Sequence, residues 1–205
     1  MRPKFAMSMI NEKFGSRVNS AWNDLRPQTR TLLERAWQAT PPAPVEQSRT
    51  YDPRADRELS KLLAALDDQT QRESGKTEDE SARQARRLAD TCVQMLTQQT
   101  QSAEVFAQLI QRAHARQQFA RLDELANGMA LRLAPSELCD MARSPNVVVR
   151  ALANEVLTQA PPSLLRALLH DPIDAEVARS VLERQAHEFG LEEAKRTLRE
   201  IDELG

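Results

Sequence analysis

The sequence predicts an all-α fold, and three observations carry that expectation. Its 205 residues include 28 Ala, 25 Leu and 16 Gln against 5 Gly and 8 aromatics. Ala, Leu and Gln, with Glu and Arg, are strong helix formers, and the scarcity of β-branched residues argues against strands. Apolar residues recur at three- and four-residue spacing in one stretch after another. Pro27, Pro53, Pro135, Pro145, Pro162 and Pro172 each stand where such a stretch begins. Proline suits the first helical position, where its missing N–H would have no partner. Asp52, Ser144 and Asp171 precede three of these prolines, and each reads as an N-cap.

The elements follow in order. Residues 1–39 read as a helical arm. Its first helix, over 4–24, carries Phe5, Met9, Val18, Trp22 and Leu25 at helical spacing, with Phe14 beside the stripe. Its second, over 27–39, holds Leu32, Leu33, Ala36 and Trp37. A proline-rich linker spans 40–52. A helical hairpin is expected over 53–101. Its first helix, 53–72, buries Leu59, Leu62, Leu63 and Leu66, and its second, 78–99, has a seam of Ala85, Leu88, Ala89, Cys92, Met95 and Leu96. Thr77 and Glu80 form a capping-box pattern between them. From 102 to 205 the rhythm tightens to helices over 103–115, 118–131, 135–143, 145–159, 162–170, 172–188 and 191–203, with Gly190 as a C-terminal stop. Such short connections make consecutive helices antiparallel neighbours.

Two segments of that last region look alike: SELCDMARSPNVVVRALANEVL over 136–157 and PSLLRALLHDPIDAEVARSVLERQ over 162–185. Pro145 and Pro172 are 27 residues apart, and Val149 and Val177 are 28 apart. Repetition at this period marks an α-solenoid, in which a short helix pair buries its apolar face only by stacking on the next. SPNVVVRALANEVL resembles the second half of a HEAT-like repeat, with Arg150 where such repeats often carry Arg. The 162–185 segment is similar to helical-repeat domains of unknown function in alphaproteobacteria. The resemblance covers about 103–189. It implies a scaffold that binds other macromolecules, and in a few members repair of alkylated DNA. Ala178 stands where Arg150 stands one repeat earlier, which interrupts any Asp/Arg ladder. Val147, Val148 and Val149 read as a crowded first turn facing the previous repeat.

The chemical leads fail one by one. Net charge is −2 and pI near 6.0, with no overall nucleic-acid footprint. Gly75-Lys76-Thr77 resembles the end of a phosphate-binding loop, but Thr70 stands where the pattern needs Gly and a Leu-rich helix where it needs a strand. Asp171, Asp174 and Glu176 would need an oxygen ligand at Ile173 to hold calcium; acidic groups at a helix start suit the helix dipole alone. A pairing of Arg150 with Asp171 or Asp174 would orient neighbouring repeats. His114, His170 and His187 present no two-His face. No Ser lies in a nucleophile elbow. Base repair would want a basic, aromatic face, and 103–205 offers three aromatics: Phe106, Phe119 and Phe189. The expectation is therefore no enzyme, no catalytic residue, no metal and no cofactor.

What remains is binding. Residues 1–57 carry 10 Lys/Arg against 6 Asp/Glu, while 58–205 carry 18 against 24. Both tryptophans and two of the five phenylalanines fall in the first 40 residues. The arm could dock on its own body, insert into a partner or a second copy through Phe5, Phe14, Val18 and Trp22, or lie on a membrane surface with Arg2, Lys4, Lys13 and Arg17 near headgroups. The reading is a non-enzymatic protein-binding adaptor or regulatory subunit that uses this helix and the grooves between repeats. The alternative is a nucleic-acid binder using Arg26, Arg30 and Arg35. Cys92 and Cys139 read as reduced core thiols of a cytoplasmic chain. The sequence shows no transmembrane segment and no signal peptide.

Overall fold

The computed structural model describes residues 15–38, 51–73 and 80–203, and among them all regular structure is helical. The chain divides after Thr100 into two compact units.

The first unit contains α1 (Ser16–Asn23), α2 (Pro27–Gln38), α3 (Pro53–Glu73) and α4 (Glu80–Gln99). α3 and α4 pack along each other, α1 lies on α3, and α2 lies mainly on α4. The seams expected on the long helices are buried: Leu59, Leu62, Leu63 and Leu66 on α3, and Ala85, Leu88, Ala89, Cys92, Met95 and Leu96 on α4. Only Leu33 of the apolar set expected on α2 is buried outright. Asp52 caps α3 as the Asp-Pro pair predicts: its Oδ1 accepts from the Arg54 N–H at 2.9 Å and the Ala55 N–H at 3.4 Å. Tyr51 reinforces that start by donating its hydroxyl to buried Asp56 at 3.0 Å. The phosphate-loop look-alike at 75–77, the Thr77 half of the capping box and most of the proline linker lie outside the described residues.

The second unit contains α5 (Ala103–Ala115), α6 (Phe119–Arg132), α7 (Pro135–Ala142), α8 (Val147–Thr158), α9 (Pro162–Leu168), α10 (Ala175–His187) and α11 (Glu192–Asp202). α5 packs on α6, α7 on α8, α9 on α10 and α10 on α11. Each helix also meets the one two places along: α5 with α7, α6 with α8, α7 with α9, α8 with α10 and α9 with α11. Two turns close in the left-handed region. Gly190 has φ 66°, as its placement predicts, and Gln117 has φ 55°. Gly128 sits in mid-helix because α6 comes close to Phe106 there, whose ring also carries the Arg132 guanidinium at 5.1 Å.

Two expected helix starts move. α8 begins at Val147, where Asn146 and not Ser144 is the cap: Asn146 Oδ1 accepts from Val148 and Val149 N–H at 3.0 and 3.2 Å. Ser144 instead accepts from Asn146 N–H at 3.2 Å. α10 begins at Ala175, because Asp171 Oδ1 bonds the Ile173 N–H at 2.8 Å and closes a turn of its own first. In both places the S/D-P pair opens a turn, and the helix follows it. Val147 is 66% exposed, so of the three valines only Val149 is buried.

Successive turns are tied by polar contacts that sequence spacing misassigned. Arg150 donates to Ser144 O at 2.6 Å and so closes its own turn. Arg143, at the end of α7, is the residue that crosses over. It donates to Ile173 O at 3.0 Å and pairs with buried Asp174 at 2.8 Å. Gln185 on α10 donates both Nε2 hydrogens at the end of α8, to Thr158 O at 2.9 Å and Ala160 O at 2.7 Å. Its own Oε1 has no partner among the described residues. Gln185→Leu removes the donor from two carbonyls and also removes that unmet acceptor. The expected net loss is about 1–2 kcal/mol, read as a lower urea midpoint at unchanged slope.

Candidate functional site

The residues singled out on the arm divide sharply. Phe5 and Phe14 lie outside the described residues. Val18 and Trp22 belong to the first unit's own core, 0% and 2% exposed. The expectation that they anchor a partner is corrected for this conformation, because α1 turns its apolar stripe onto α3 and leaves neither side chain a free face. Arg26 and Arg30 are engaged as well. The Arg26 guanidinium bridges Glu58 at 2.6 Å and Asp52 at 2.7 Å. Arg30 donates to Trp22 O at 2.9 Å and stacks over the Trp22 ring at 5.6 Å. Arg35 alone of the three is exposed.

These contacts build a concave surface. Arg17 near the start of α1 pairs with Asp68 near the end of α3, while Arg26 just beyond α1 pairs with Glu58 near the start of α3. The two helices therefore run in opposite directions, with an open groove of about 840 Å³ along them. Ala21, Leu25 and Ala65 form its apolar floor, with Ala64 exposed at the edge. Small side chains there leave room for another backbone to approach.

Arg54, Arg57 and Lys61 line the α3 side. They are spaced i, i+3 and i+7, which places them in one row on the helix. All three are exposed, and among the described residues none of the three forms an ion pair. Sequence reasoning missed this row. Arg54 and Arg57 were counted in the basic first 57 residues, but their alignment with Lys61 was legible from helical spacing alone.

No family model, curated protein or solved structure matches the chain.

The other chemical leads take structural roles. Asp171 and Asp174 serve the turn and the Arg143 pair, and no group of acidic, His or Cys side chains is placed to hold a metal among the described residues. His114, His170 and His187 are exposed. Cys92 and Cys139 are free and buried, and burial pushes the Cys139 thiol up to about 11. Both thiols should therefore resist iodoacetamide at pH 8 in the native chain and react once urea unfolds it; labelling of the native chain would show that the units open readily.

The Arg26 bridge also sets a pH dependence. The hydrogen bond from Arg26 holds the Asp52 carboxyl below its ordinary 3.8, and the cap bonds from Arg54 and Ala55 N–H act in the same direction. A lowered carboxylate pKa stabilises the fold above the unfolded value, and that stabilisation is lost as pH falls through the folded one. Asp52→Asn keeps the cap acceptor and removes the charge. The stability gap between wild type and Asp52→Asn should be complete at pH 6 and shrink below pH 3.8, followed by Trp22 fluorescence in a Trp37→Phe background. A gap that does not change with pH would show that the ion pair contributes nothing.

Proposed function

We propose that this chain is a non-enzymatic adaptor or regulatory subunit that binds a protein partner. The observation that carries this reading is the α1–α3 groove, whose apolar floor of small residues lies beside a row of cations that form no ion pair among the described residues. That combination suits a helix laid in a groove, where apolar area gives affinity and rim charges give register. The second unit acts in this reading as a short HEAT-like stack of helix pairs. The packing of helices in pairs, and of each helix on the one two along, supports it. Three large apolar side chains are exposed just after the turn within each pair or at its end: Phe119 at 63%, Val147 at 66% and Ile173 at 70%. Exposed apolar residues of that size suit macromolecular contact.

The nucleic-acid alternative loses support from the same geometry. Arg26 and Arg30 already serve carboxylates and carbonyls of the chain, and the groove's apolar floor offers phosphate nothing. Two buried free thiols support work in the reducing cytoplasm. Among the described residues no helix is long and apolar enough to cross a membrane.

Removing the arm or truncating Trp22 would empty the first unit's core, so neither tests binding cleanly. Ala64 is exposed at the groove edge, and Ala64→Trp fills the groove from solvent. In a native pull-down from nuclease-treated lysate of the source cells, wild type should retain a stoichiometric protein that Ala64→Trp loses, at equal melting temperature. Identical partners on both would remove the groove from the function.

A further inference from the structure

We infer that the α1–α3 groove takes an acidic amphipathic helix from a partner protein, with carboxylates at i, i+3 and i+7 facing Arg54, Arg57 and Lys61. This rests on the protein-binding reading and names the chemistry of the partner. Three features select it. The cation row spans seven residues, about 10.5 Å at helical rise, so the matching acids fall on one face of an aligned helix. Two of the groove's three anions are not competitors for that row, since Asp68 is paired with Arg17 and Glu58 with Arg26; the third, Asp24, lies just beyond the end of α1. The floor of Ala21, Leu25 and Ala65 takes the apolar face of the same helix, since small side chains let two helix axes come within about 8–10 Å.

A polyanion with no apolar face fits worse. Single-stranded nucleic acid would gain from the row, but it offers nothing to the alanine floor. A second copy of this chain would have to bring its own acidic helix face. That is a distinct outcome of the test.

The test uses the full chain and a displayed library of amphipathic helices with one face apolar and its flanking positions randomised. Selection on wild type should enrich Asp or Glu at three positions spaced i, i+3 and i+7. Selection on Arg54→Glu/Arg57→Glu/Lys61→Glu should enrich Lys or Arg at the same positions. An enriched acidic peptide, measured by fluorescence anisotropy, should bind that triple variant at least about tenfold more weakly. Its charge-reversed twin should regain the loss. Far-UV circular dichroism and the urea midpoint confirm that both variants fold.

Helices enriched without charge bias, or with a bias that survives the charge reversal, would overturn the acidic partner while leaving protein binding in place. If Ala64→Trp selects the same helices as wild type, or no helix is enriched, the groove reading falls as well. Displacement of the peptide by a 20-nucleotide oligothymidine, with a steep salt dependence, would replace it with a nucleic-acid site. Concentration-dependent dimerisation in sedimentation, abolished by Ala64→Trp, would replace it with a second copy.

Discussion

Burial of Val18 and Trp22 on α3 decides where α1 lies, and the candidate site depends on that position. With α1 seated, Arg17 reaches Asp68 at one end and Arg26 reaches Glu58 and Asp52 at the other. Arg30 then closes over the indole ring and holds the Trp22 carbonyl. The apolar contact supplies the driving force, because removing these side chains from water is worth more than any partly exposed ion pair. The arginines supply register. A groove between α1 and α3 exists only while both conditions hold, so the residues that make the site are mostly residues that do not line it.

The second unit uses a different device. Its helices are short, two of them of only eight and seven residues, and a helix of that length is marginal by itself. Neighbouring turns are therefore joined by polar side chains acting on backbone groups. Arg143 holds the Ile173 carbonyl and Asp174, and Gln185 holds two carbonyls at the end of α8. Each contact satisfies a backbone or carboxylate oxygen that packing would otherwise leave without a donor. The acidic residues at 171–174 are thus explained by turn closure and pairing.

Charge placement separates the two binding chemistries better than net charge does. The basic excess of the first 57 residues is a local sum, and folding divides it. Arg17, Arg26 and Arg30 are turned onto the chain's own oxygens, while Arg54 and Arg57 join Lys61 in a row that forms no ion pair among the described residues. What reaches solvent is a short cationic line beside carboxylates and alanines, a pattern suited to a structured peptide.

Much of the fold was legible in the sequence because helix formation is a local matter. Periodicity placed the buried leucines of α3 and the seam of α4, and Gly190 announced its own turn, since only residues three and four apart share a helix face. The succession of short helices after residue 102 was legible for the same reason. Tertiary structure decided the rest. Periodicity marks Trp22 as apolar-facing but cannot say whether that face meets the chain itself or a partner; only packing on α3 answers that. Spacing proposed Arg150 as the link between repeats, and the structure assigns it to Arg143, because a long guanidinium arm reaches whichever oxygens the turn brings near. The row of Arg54, Arg57 and Lys61 was written in the sequence throughout. It became one side of a groove only when α1 was laid beside it.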